Sequence, residues 1–227
     1  MFKTLQKALV TAGDYLFPNF TCLVCRDELN TPQNPHICEV CTAELPVNTE
    51  PITLRDTKQD QHFNEAYAAF KYEDPIVGLV LRLKYNAEKD IAEALAPFLA
   101  GMFVQEKLAA DVIVPVPLSQ KRHKERSYNQ AFLVAQFVAE YIKTPIAPDA
   151  LVRIKATEAQ KKMTVEQRAE NLKNAFAIQN AEAIKGKRVL LIDDVFTSGS
   201  TVNECARVLR SAGAGDVNVL TIASVFV

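Results

Sequence analysis

Residues 189–201, VLLIDDVFTSGST, place two carboxylates at the end of an apolar run and follow them with a hydroxyl-rich stretch around one glycine. Asp193 and Asp194 are acceptors suited to vicinal hydroxyls, such as those of a ribose, at the strand end where open α/β sheets bind ligands. Thr197, Ser198, Ser200 and Thr201 supply hydroxyl donors, and Gly199 lets the backbone approach a phosphate closely. A helix starting here adds amides that carry partial positive charge and lack intrahelical acceptors. An ordinary helix cap needs only one of these hydroxyls and no acidic pair before it. Neither G-x4-G-K-S/T nor G-x-G-x-x-G occurs, so the sequence supports neither a P-loop nucleotide site nor a dinucleotide fold.

A second constellation is Cys22-x2-Cys25 and Cys38-x2-Cys41, with twelve residues between the pairs. A two-residue gap turns both sulfurs of a pair toward one ion, and four thiolates close a tetrahedral shell about 2.3 Å from Zn²⁺. Such a shell leaves no open position, so the zinc is structural, and in a short segment it supplies most of the folding free energy. Buried structural thiols are the alternative, but the segment has too little apolar sequence to cover them. His36 in place of Cys38 would break the pairing. Residues 1–60 carry five Lys or Arg against eight Asp or Glu, so this module does not attract phosphates by itself and suits folding and docking. Cys205 lies at helical spacing with Val202, Val208 and Leu209 and reads as core.

Two further stretches are basic. Lys121, Arg122, Lys124 and Arg126 follow the apolar VIVPVP against a single Glu125, with His123 among them; guanidinium groups there suit phosphates by paired hydrogen bonds. Residues 153–173 carry six basic and three acidic side chains, which fits a hood closing over a ligand, a groove for single-stranded nucleic acid, or a solvated helix.

The elements that must position these groups follow from periodicity. Phe2, Leu5, Leu9, Ala12 and Leu16 mark an amphipathic helix that Pro18 stops. Residues 19–60 hold the cysteines, several prolines and no regular apolar period, and 53–64 read as a linker. From Phe63, strands alternate with helices: FNEAYAAFKY (strand or hairpin), DPIVGLVLRLKY and DIAEALAPFLAGMFVQ (helices, the second interrupted by Pro97), DVIVPVPL, YNQAFLVAQFVAEYI, LVRI, TVEQRAENLKN, AFAI, RVLLIDDV, TVNECARVLRSA and VNVLTIASVFV. This order predicts an α/β fold, a mostly parallel sheet flanked by helices, over residues 61–227, with a small zinc-binding module over 1–60. The unbroken apolar RVLLI suits a strand buried on both faces. At 227 residues, 48% apolar and 23% charged, the chain is globular in composition, and a net charge of −1 excludes a uniformly basic nucleic-acid coat. The N-terminus does not read as an export signal, and no apolar run is long enough for membrane insertion. The expected compartment is the cytoplasm, where paired cysteines are metal ligands more often than disulfides.

VLLIDDVFTSGST resembles the 5-phosphoribosyl-1-diphosphate (PRPP) signature of type I phosphoribosyltransferases. The cysteine pairs after DYLFPN, then RLKYNAEKDIAEALA, VPVPLSQKRHKERSYNQA, Thr157-x2-Gln160 and Arg168-x2-Asn171 before Phe176, resemble the competence protein F family across nearly the whole chain. That family usually has Gly-Phe where Ser127-Tyr128 stand and a second Thr at Ser198. The resemblance implies PRPP bound with Mg²⁺. The 5-phosphate would lie on residues 197–201, the ribose hydroxyls on Asp193 or Asp194, and the diphosphate beside the loop of Arg122 and Arg126. It also implies a part in natural transformation, acting on single-stranded DNA beside a competence helicase, either as a transferase or as a non-catalytic ligand sensor. Tyr128 or Phe196 would then serve as stacking platforms.

Overall fold

The computed structural model describes residues 21–29, 36–52, 61–119, 125–155 and 165–226. In chain order these hold α1 (Glu39–Ala43), β1 (Ala66–Lys71), α2 (Ile76–Tyr85), α3 (Asp90–Gln105), β2 (Val112–Pro115), α4 (Gln130–Ile142), β3 (Leu151–Arg153), α5 (Val165–Leu172), β4 (Phe176–Ile178), β5 (Val189–Phe196), α6 (Ser200–Ser211) and β6 (Val217–Ser224). The expected helix over residues 2–16 lies outside the described residues, as does the expected module boundary at residue 60.

The four long strands form one parallel sheet in the order β1-β6-β5-β2. β5 is central: Val189 pairs with Val112 of β2 on one side and with Val217 of β6 on the other. Its first four residues are buried, which explains why RVLLI carries no polar alternation. Val189 and Leu191 join Val112, Val114, Val217 and Val219 in a core that α6 covers with Val202, Cys205, Ala206 and Leu209. Side chains alternate along a strand, so Ile113, Leu190 and Ile192 turn to the opposite face, where α3 and α4 pack. FNEAYAAFKY supplies one strand, β1, at an edge of the sheet. A separate antiparallel pair, β3 with β4, carries LVRI and AFAI.

The chain divides into two compact units, Met1–Glu44 and Leu45–Val227. Residues 45–52 line the outer edge of β1: the amides of Asn48 and Ile52 donate to the carbonyls of Ala69 (2.9 Å) and Ala66 (2.8 Å). This cover satisfies a sheet edge that would otherwise be open. Residues 61–64 are likewise pinned, the His62 amide donating to Asn203 Oδ1 (2.7 Å) and Arg210 Nε to the His62 carbonyl (2.6 Å). Pro97 does not divide its helix. It sits exposed within α3, whose opposite face buries Leu95 and Leu99, so the bond lost at proline lies where water can replace it. No helix among the described residues is long and apolar enough to cross a membrane.

Candidate functional site

Asp193 and Asp194 are the first polar residues after the buried stretch of β5, and both are half-buried. They mark the carboxyl edge of the sheet. The Asp193 carboxylate accepts the Asp194 amide at 2.8 Å, and Asp193 is in register with the fully buried Thr221 of β6. Phe196 closes the strand, packed edge-on against Phe63 and Phe226 at 6.3 Å between ring centroids. It is 1% exposed and cannot stack on a ligand, so one of the two expected platforms is excluded. Strand alternation turns it into the core.

Beyond Phe196 the chain reverses through Thr197 (exposed), Ser198 and Gly199 (buried) into α6, which opens with buried Ser200 and half-buried Thr201. Gly199 has φ +72°, a left-handed conformation that β-carbon-bearing residues adopt at a cost. The hydroxyls of Ser198 and Ser200 lie 3.0 Å apart, and no side chain caps α6 at Gly199. The first turn of α6 can thus present its amide dipoles to an anion.

Two groups arrive from elsewhere in the sequence. The last turn of α2 sends Lys84 to Asp194, with Nζ 2.9 Å from Oδ1. The next residue, Tyr85, lies under the Arg126 guanidinium, 5.1 Å from the ring centroid, and Arg126 also donates to the Tyr85 hydroxyl (3.4 Å) and to Gln130 Oε1 (3.1 Å). Arg126 Nε is shielded from solvent and has no acceptor among the described residues. Tyr128 donates from its hydroxyl to the Leu83 carbonyl, with Lys89 over its ring at 5.6 Å. Burial pushes the Tyr128 phenol above its ordinary pKa. The structure thus links Arg126 to Asp194 through the Leu83–Tyr85 turn; Arg122 lies outside the described residues. Asn129 anchors the loop, donating to the Val116 carbonyl (3.0 Å) and accepting the Ala131 amide (3.0 Å) as the cap of α4. Cys205 is fully buried on the core face of α6, and burial holds its thiol well above the ordinary range, consistent with a core role.

In the first unit, the ligand atoms of Cys22, Cys25, Cys38 and Cys41 all lie within 4.8 Å of one another, and the Cys25 and Cys38 sulfurs are 3.9 Å apart. A tetrahedron with ligands at about 2.3 Å has sulfurs about 3.8 Å apart, so the cluster fits one ion. His36 is not in the cluster. The amides of Val24 and Cys38 each donate to Cys22 Sγ at 3.4 Å, and Cys41 N–H donates to Cys38 Sγ at 3.4 Å. Burial opposes ionisation of Cys22, yet backbone donation from Cys38, Cys25 and Val24 outweighs it and lowers its pKa to about 6. Burial and the neighbouring sulfurs push Cys41 up to about 12, so full ionisation of the cluster calls for a cation at its centre. The four cysteines can hold a structural metal.

A competence protein F from Haemophilus influenzae is 31% identical over 227 residues, covering 91% of this chain and 98% of the relative. The chain belongs to the competence protein F family. Within the wider group of relatives, a competence protein ComFC from Bacillus subtilis is 27% identical, covering 88% of this chain and 82% of its own, and a DNA utilization protein YhgH from Escherichia coli is 34% identical, covering 65% and 66%. Residues 129–225 match the phosphoribosyl transferase domain family, so this family member carries a phosphoribosyltransferase-like α/β unit. The match spans Asp193–Thr201 but neither Lys84 nor Arg126. Lys84 and Tyr85 are the site residues that sequence reasoning left without a role. Their only signal was the block RLKYNAEKDIAEALA, quoted for the resemblance.

Where the family usually has Gly-Phe, Ser127 stands at φ +64°. A left-handed conformation costs an L-residue about 1–2 kcal/mol, partly offset by the greater unfolded freedom of glycine. Ser127→Gly is therefore expected to stabilise the protein by about 1 kcal/mol, raising Tm by roughly 2–4 °C in a calorimetric melt. An unchanged or lower Tm would show that the loop does not hold residue 127 in this conformation.

Proposed function

We propose that this chain binds PRPP in its α/β unit as a phosphoribosyltransferase-like protein that serves natural transformation and the handling of incoming single-stranded DNA in the cytoplasm. The observation that most supports this is the composition of one turn: a carboxylate pair ending a buried strand, a left-handed Gly199, and buried hydroxyls of Ser198 and Ser200 at the opening of a twelve-residue helix. On this reading Thr197, Ser198, Gly199, Ser200 and Thr201 receive the 5-phosphate through amides and hydroxyls. Asp193 and Asp194 accept hydrogen bonds from the ribose diol and face charge developing at C1, which makes them the catalytic pair. Arg126, with Arg122 of the same basic stretch of sequence, binds the diphosphate.

In transfer, the bond from C1 to the diphosphate oxygen breaks with its electron pair leaving on the diphosphate, and a nucleophilic atom of the acceptor bonds to C1. No side-chain nucleophile is needed. The chain contributes position and electrostatic stabilisation of the oxocarbenium-like carbon. Mg²⁺, when bound with PRPP, neutralises the diphosphate, whose own oxygens suit a hard cation. Zn²⁺ on Cys22, Cys25, Cys38 and Cys41 is structural, since four thiolates leave it no open position.

Tyr85 favours a second reading, in which the site senses a ligand or binds single-stranded DNA without turnover, alongside a helicase supplying the ATPase this chain lacks. Tyr85 is 66% exposed with an arginine on its ring, an arrangement on which a nucleobase stacks. It replaces Phe196 as the platform.

Calorimetry with PRPP and Mg²⁺ tests the main reading. A lost charge-assisted hydrogen bond costs about 1.5–3 kcal/mol, so Asp194→Ala should weaken PRPP binding roughly ten- to hundredfold. If a folded Asp193→Ala, Asp194→Ala protein binds PRPP as well as the wild type, the ligand sits elsewhere.

The metal reading makes a separate prediction. Freshly purified protein should carry one equivalent of zinc by elemental analysis, and Cys22→Ser should release it while the α/β unit keeps its far-ultraviolet spectrum. Protein prepared without chelators and free of zinc would contradict the assignment.

A further inference from the structure

Lys84 is delivered to Asp194 by a packed element. Ile76, Leu79, Val80 and Leu83 bury one face of α2, and the Tyr128 hydroxyl ties down the Leu83 carbonyl in the turn that carries Lys84. The ion pair is largely withdrawn from solvent, its two side chains 16% and 15% exposed, with 2.9 Å between Nζ and Oδ1. The other cation of this turn, Arg82, is engaged with Glu88. One carboxylate of the acidic pair therefore already has a fixed positive charge against it. A divalent ion approaching the same oxygen would meet the ammonium's repulsion in a region of reduced screening.

We propose that Lys84 is a positioning residue that takes the place of a divalent cation at Asp194. It holds that carboxylate in place and compensates its charge, so the ribose diol binds there without Mg²⁺, and any metal requirement comes from the diphosphate alone. The ligand half of this inference rests on the phosphoribosyl reading above; the charge half does not. Removing the ammonium leaves a half-buried carboxylate uncompensated, and such a group recruits a cation from solution.

Ribose 5-phosphate separates the two metal roles, because it has the diol and the 5-phosphate but no diphosphate. By calorimetry, wild-type protein should bind it equally in Mg²⁺ and in EDTA. Lys84→Met should bind it about tenfold more weakly in EDTA, the loss of one charge-assisted contact, and recover in Mg²⁺. Lys84→Arg should behave as wild type, which separates the charge from the packing of the side chain. Mn²⁺ titration followed by electron paramagnetic resonance gives a readout independent of any ligand. Lys84→Met should hold one more Mn²⁺ per chain than wild type, and Lys84→Met with Asp194→Asn should lose it; Lys84→Gln serves equally if the Met variant does not fold. A wild-type protein that needs Mg²⁺ for ribose 5-phosphate, or a Lys84 variant with no added Mn²⁺, would overturn the proposal. Wild-type protein that ignores ribose 5-phosphate in both buffers would overturn the phosphoribosyl reading instead, and the Mn²⁺ comparison would still decide the role of Lys84.

Discussion

Strand β5 is hydrogen-bonded along both edges and buried on both faces for its first four residues, and the geometry of the candidate site is set by where that burial stops. A strand so enclosed cannot carry a charge until it emerges, so Asp193 and Asp194 fall at the sheet's carboxyl edge. The same emergence dictates the turn. The chain must reverse at once to lay α6 back on the sheet, with Val202, Cys205, Ala206 and Leu209 against Val189 and Leu191. Gly199 makes the reversal at φ +72°, and the helix opens a few residues after the two carboxylates. Acceptors for hydroxyls and donors for an anion thus share one turn of chain, the combination that a phosphorylated sugar requires.

The second organiser is the last turn of α2. Its three consecutive residues reach three different groups: Leu83 gives a carbonyl to Tyr128, Lys84 an ammonium to Asp194, and Tyr85 a ring to Arg126. Asp194 and Arg126 are thereby held by an element whose other face is core, and the charges are arranged before any ligand arrives. The cysteine unit follows a different logic. Its four sulfurs lie close enough together to hold one metal ion, and a bound metal is a common source of stability for a segment with little apolar sequence.

The parts legible in the sequence were those encoded locally. RVLLI shows its double-sided burial in four residues, the hydroxyl-rich turn is contiguous, and each cysteine pair spans a single knuckle. What escaped was non-local. Lys84 sits on an amphipathic helix where a lysine reads as solvated, and its partner is set by how α2 meets the strand ends, which periodicity does not encode. Phe196 was misassigned because an aromatic beside an acidic pair looks available, whereas the strand's alternation buries it. Residues 45–52 lack a period because they follow the edge of β1 without forming a regular strand. The interruption expected at Pro97 failed because the burial of Leu95 and Leu99 on the opposite face holds the helix together through the proline.

The central claim is that the turn between β5 and α6 receives the phosphate of a phosphoribosyl ligand. Amide ¹H–¹⁵N shifts followed during titration with ribose 5-phosphate test it directly. The account predicts that the amides of residues 197–201 move first and furthest, saturating together with those of Asp193 and Asp194. Shifts confined to Arg126 and its neighbours ahead of α4, with residues 197–201 unmoved at saturation, would contradict it.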